Sequence, residues 1–116
     1  MNITPIDDPV LVQTATRFAA LGSEQRLSVL RALVRAGPEG LAIGDLGARV
    51  GLAGSTLTHH LKTLADADLI RQTRSGRRIL CHGAFDQIEA LSAFLLSECC
   101  ADTACTPHDH GAPQNG

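Results

Sequence analysis

Leu57, Leu61 and Leu64 recur at i, i+4 and i+7, so in a helix they share one face and point inward. Ser55, Thr56, Thr58, His59 and Lys62 lie around the other sides and make them polar. After Leu69-Ile70 the period changes to strand, turn, strand. Ser75-Gly76 sits between Arg74 and Arg77-Arg78, where glycine supplies the positive φ that a tight hairpin needs. The pattern predicts a polar-faced helix over 55–66 followed by a basic two-stranded hairpin.

Upstream, Gly22-Ser23 breaks the chain and Ser23 is placed to cap a helix running to about Arg35. Leu27, Leu30, Leu33 and Val34 are its expected buried stripe. Gly37-Pro38-Glu39-Gly40 reads as a turn. Ile43, Leu46 and Val50, at i, i+3 and i+7, predict a short helix that Gly51 ends. Two short helices around a glycine turn, the second polar-faced, make a helix-turn-helix. Asp68 stands where the second helix must exit, and aspartate tolerates the left-handed conformation better than most residues.

Two further helices are expected, Pro9 to about Ala20, carrying Val10, Leu11, Phe18 and Leu21, and Phe85 to about Cys100. The second carries Ile88, Leu91, Phe94, Leu95 and Leu96 and is apolar over more than one stripe. Its second surface is expected to pack on another copy of the chain. The expected fold is mainly α with a small β-hairpin, a winged helix-turn-helix that dimerises through its N- and C-terminal helices. Residues 1–100 would form the DNA-binding and dimerisation domain, and 101–116 a flexible tail.

Composition changes one part of this picture. The formal net charge of −2 argues against nucleic acid until its distribution is read. Residues 55–82 hold Lys62, Arg71, Arg74, Arg77 and Arg78 against Asp66 and Asp68, so a basic surface sits on an acidic body. That asymmetry favours oriented binding of double-stranded operator DNA. Short hydroxyls at an exposed helix start can approach base edges, which assigns Ser55, Thr56, Thr58, His59 and Lys62 to contact, with Arg74, Arg77 and Arg78 on the backbone. No long apolar span or basic-then-apolar leader is present, so a cytoplasmic protein with no membrane partner is expected. No phosphate-cradling glycine loop or Ser/His/Asp order suggests an enzyme.

The order LGSEQRLSVLRAL, IGDLGARVGL, STLTHHLKTLADADLI, RSGRRIL and a final helix resembles the ArsR/SmtB family of metal-responsive bacterial repressors, over about residues 9–100. The resemblance implies a dimeric winged helix that binds operator DNA without inducer and leaves it when ligand binds. Many members place a Cys-x-Cys pair in the helix that here reads Leu41-Ala42-Ile43-Gly44-Asp45-Leu46, and both thiols are absent. Others bind zinc across the dimer with Asp/His and His/Glu positions on the last helix. Here that helix offers Asp86, Glu89 and Glu98 without histidine, a poor zinc set.

What remains is Cys99, Cys100 and Cys105. Three thiols in seven residues suit a thiophilic ion, and trivalent arsenic (arsenite) or antimonite fits best because it takes three sulfurs in a pyramid. The placement resembles the arsenic-responsive branch of the family with a C-terminal cysteine site. Adjacent helical residues point about 100° apart, so Cys99 and Cys100 could share an ion only if the helix end unwinds. Two other readings stay open. The thiols could sense oxidant or persulfide, with Cys81 as a partner, or bind zinc, cadmium or copper(I) with His108 or His110. Cys81 itself reads as a half-buried small hydrophobe, His60 as a packed residue, and the tail histidines as solvated.

Overall fold

The computed structural model describes residues 8–103. Asp8 opens α1 (Pro9–Ala20), its carboxylate accepting from the amides of Val10 and Leu11. Ser23 caps α2 (Glu24–Ala36), accepting from the Arg26 amide. A two-residue strand, β1 (Leu41–Ala42), leads into α3 (Ile43–Val50), and Gly51 ends that helix in the left-handed conformation. Then come α4 (Gly54–Asp66), β2 (Ile70–Ser75), β3 (Arg78–Gly83) and α5 (Phe85–Phe94). The three strands form one antiparallel sheet in the order β1-β3-β2. The fold is a winged helix-turn-helix, as expected, with β1 added to the hairpin.

The core lies between α2, α3, α4 and the sheet. Val29, Leu33, Leu46, Leu64, Leu69 and Ile70 are fully buried there. Each contributes roughly 1.5–3 kcal/mol by leaving water. Leu57 and Leu61 complete the inward face of α4. The α2 stripe differs from expectation. Val29 joins Leu30 and Leu33 inside, while Leu27 and Val34 stay 51% and 41% exposed. The wall they were expected to meet is absent from that side of the helix among the described residues.

The α4 exit is a complete Schellman turn. The Asp68 amide donates to the Ala65 carbonyl and the Leu69 amide to that of Leu64. Asp68 takes φ 66°, the role that glycine more often fills. Arg17 fastens this turn from α1: its Nε donates to the Ala67 carbonyl at 3.1 Å and its guanidinium stands 3.5 Å from the Asp68 carboxylate. The inward residues of α1 are therefore Thr14, Arg17 and Ala20. Val10 and Phe18 face out.

Helix α5 is shorter than its apolar pattern predicts. It ends at Phe94, and the expected run to Cys100 is replaced by successive turns in which amides donate three residues back. Leu95 and Leu96, 70% and 65% exposed, find no wall to bury against within the described residues, and a helix without tertiary packing loses most of its stability.

Candidate DNA interface and thiol cluster

The turn before α4 is built by a close approach. Gly47 accepts from the amides of both Gly51 and Leu52, and a Cβ at position 47 would lie 2.5 Å from the Leu52 carbonyl oxygen. Only glycine permits that packing, and it sets α4 with its first turn outward. Ser55, Thr56, Thr58, His59 and Lys62 are all exposed on α4. The Thr58 hydroxyl donates to the Gly54 carbonyl at 3.2 Å, which leaves its lone pairs facing out. Lys62 pairs with Asp66 at 3.2 Å.

His60 points the other way, as its packed reading requires. It is 8% exposed, and its Nε2 lies 3.1 Å from Gln25 Oε1 on α2. Burial, then the nearby Arg26 charge and His59, lower its pKa. Its Nδ1 is buried with no partner among the described residues. The neutral ring with hydrogen on Nε2 satisfies this arrangement, whereas a second ring N–H would be buried without an acceptor.

The wing is a tight hairpin in which Ser75 pairs with Arg78, leaving a two-residue loop of Gly76 and Arg77. Gly76 adopts φ 64°, as the first position of such a loop demands. The three wing arginines are not equivalent. Arg78 leans 3.8 Å from Asp45 on α3, while Arg74 and Arg77 have no ion pair among the described residues. At the wing's base, Arg71 makes a two-pronged contact with Asp86 in the first turn of α5. Neither the Asp45 nor the Asp86 tie has a sequence signal, because each joins residues far apart in the chain.

Cys99 and Cys100 lie beyond α5, with their Sγ atoms 3.5 Å apart. Cys100 holds φ 62° in the left-handed region. The backbone here is already out of α-helix, so the unwinding expected from their adjacency is not needed to bring the sulfurs together. Cys99 also lines a cavity of about 360 Å³ with Leu11, Phe94, Leu95 and Glu98. Cys81 and Cys99 are free thiols, and Cys100 is disulfide-bonded. Cys105, His108 and His110 lie outside the described residues. Among the described residues no group of three His, Cys, Asp or Glu side chains could hold a metal ion. Cys81, expected half-buried, is wholly buried on β3, with its thiol pKa pushed up by desolvation.

Comparison with known proteins agrees with this geometry. A helix-turn-helix domain family model matches residues 21–73. An uncharacterized HTH-type transcriptional regulator, YceK of Bacillus subtilis, is 32% identical over 77 residues, 66% of this chain and 73% of that protein. A crystal structure of an ArsR family transcriptional regulator superposes with a TM-score of 0.63 at 28% identity, covering 74% of this chain and 91% of that one. The chain belongs to the helix-turn-helix transcriptional regulators. A homodimeric winged helix-turn-helix DNA-binding domain from Mycobacterium bovis shares the fold, with a TM-score of 0.65 at 21% identity over 99% of this chain and 98% of that one.

In this helix-turn-helix regulator, the residues expected to meet DNA are all exposed, on α4 and on the wing. Cys99 and Cys100 lie apart from these elements in sequence, past the end of α5. The described part of the chain has no helix long and apolar enough to cross a membrane.

Proposed function

We propose that this regulator is a homodimeric repressor that leaves operator DNA when trivalent arsenic or antimony binds Cys99, Cys100 and Cys105. The observation that carries the reading is the pair of adjacent sulfurs, 3.5 Å apart on backbone already free of the helix. Once a small-molecule dithiol reductant has opened the Cys100 disulfide by thiol exchange and taken up its oxidising equivalents, each thiol replaces one hydroxyl of arsenous acid and releases one water, with no change of oxidation state at arsenic. Three soft sulfurs favour this ion over zinc, which prefers a fourth ligand. The dimer is supported by the apolar residues left outward on α1 and after α5, namely Val10, Phe18, Leu95 and Leu96. A two-fold dimer would place two copies of α4 on an inverted repeat, with Ser55 and Thr58 at base edges and Arg74, Arg77 and Arg78 along phosphates.

A thiol-redox reading has its own support, since Cys100 is disulfide-bonded. Titrating the full chain on a 40-bp duplex selected in vitro, with arsenite, antimonite, zinc, cadmium and peroxide, separates the two by fluorescence anisotropy. Arsenite should release the reduced protein, and Cys99→Ser, Cys100→Ser and Cys105→Ser should each bind DNA normally yet need at least tenfold more arsenite. Cys81→Ser should respond like the parent. Release by peroxide alone, reversed by a thiol reductant, selects redox sensing. Serine variants that respond like the parent to every agent remove the cysteine site.

A further inference from the structure

We propose that the groove between α2 and α3 is a phosphate-binding site. Ser28, Arg31 and Arg35 of α2 and Arg49 of α3 line a cavity of about 350 Å³ there. None of the three guanidiniums lies within 4 Å of a carboxylate among the described residues. Elsewhere Arg17, Arg71 and Arg78 are ion-paired and Arg26 donates to the carbonyls of Ala19 and Ala20. Among the described residues, the arginines left without such partners fall in two places, the wing tip and this groove.

Helix ends account for only part of the cluster. Arg35 and Arg49 stand in the last turns of their helices, where a cation suits the dipole. Arg31 does not, and at i, i+4 from Arg35 it adds like-charge repulsion to the helix face. Three exposed guanidiniums lining one groove, unpaired with any carboxylate among the described residues, offer their charge to an anion from outside the fold. Planar forks that donate in pairs, joined by the Ser28 hydroxyl, match the oxygens of a phosphate. The groove's volume admits one phosphate or pyrophosphate group. The phosphate could belong to DNA flanking the α4 contact, which would extend the footprint of the proposed operator complex, or to a free phosphorylated molecule.

Two measurements on the full chain distinguish these sources. Inorganic pyrophosphate is titrated by calorimetry without DNA, and affinity for the selected 40-bp duplex is followed against KCl. Both use the parent, Arg31→Gln/Arg35→Gln, Arg49→Gln, and the wing variant Arg74→Gln/Arg77→Gln. If the source is free phosphate, the parent binds pyrophosphate, and the groove variants lose at least tenfold in that affinity with an unchanged DNA salt slope. If the source is DNA, the double groove variant lowers the slope of log Kd against log salt by about two for each protomer engaged, and weakens binding to every sequence. Arg49→Gln reports independently should the double variant fail to fold. A wing variant with parental DNA affinity would count against the DNA reading while leaving the pyrophosphate result decisive. Groove variants that match the parent in both measurements overturn the site.

Discussion

Arg71 and Asp86 join the base of the wing to the first turn of α5, with Nη1 3.0 Å from Oδ1 and Nη2 3.3 Å from Oδ2. The pair ties the wing, proposed to contact DNA, to the helix that leads to Cys99 and Cys100. Hydrogen bonds from Arg71 hold the Asp86 carboxyl below its ordinary range, and the same contact raises the Arg71 pKa. A depressed carboxylate pKa means the tie is intact above the ordinary carboxylate range and is lost as pH falls through the lowered value. Following the Asp86 carboxyl by NMR should give a midpoint below that of an unperturbed aspartate. Arg71→Gln should move it back up. An identical midpoint in both proteins would show that the tie is absent in solution.

His60 gives the fold a second pH dependence, near neutrality. Its pKa is lowered by burial, so the unfolded chain takes up a proton at a higher pH than the folded one. Stability is therefore fully present above the ordinary histidine pKa and declines as pH falls towards the lowered value. The urea midpoint of the parent should drop between pH 8 and pH 5.5 more than that of His60→Gln. Parallel curves for the two proteins would remove His60 as the cause.

The wing arginines should separate by their partners. Arg77, at the hairpin tip without an ion pair among the described residues, is available to a phosphate at no cost. Arg78 is shared with Asp45 and must leave that contact first. Arg77→Ala should lower the salt slope of DNA binding by roughly one per protomer, and Arg78→Ala by less. Ser55 or Thr58 substitutions should shift sequence preference more than the slope. Equal losses at Arg77 and Arg78 would contradict the restraint assigned to Asp45.

Arg17 is a structural residue by the same geometry. Removing its side chain leaves the buried Ala67 carbonyl without its donor and frees the left-handed turn at Asp68. Arg17→Ala should cost about 1–3 kcal/mol in chemical denaturation. Arg17→Lys should recover little, since an ammonium lacks the fork that reaches the carbonyl and the carboxylate together. A loss within experimental error for the alanine variant would mean that another group takes over the turn.

Much of this architecture is written locally. Ser23 as cap, Gly51 and Asp68 as left-handed exits, Gly76 in the hairpin and the Leu57, Leu61, Leu64 face each depend on residues within a few positions, so periodicity and turn chemistry suffice to place them. The polar start of α4 and the basic wing were legible for the same reason. The remaining features depend on residues that meet only when the chain is folded. Leu27 and Leu33 both belong to the apolar stripe expected of α2, yet only Leu33 is buried in the core, and Leu27, about 120° round the helix from it, stays exposed. Arg17 looks solvated until the α4 exit arrives 50 residues later to accept its hydrogen bond. The apolar run after Phe94 would continue a helix if propensity ruled, but within the described residues no wall holds it, and the backbone turns instead. That turn brings the sulfurs of Cys99 and Cys100 together, a relationship that helical spacing alone argues against. Local backbone preferences thus determined which elements form, and packing between distant segments decided which faces are buried, which charges are paired and where the last helix stops.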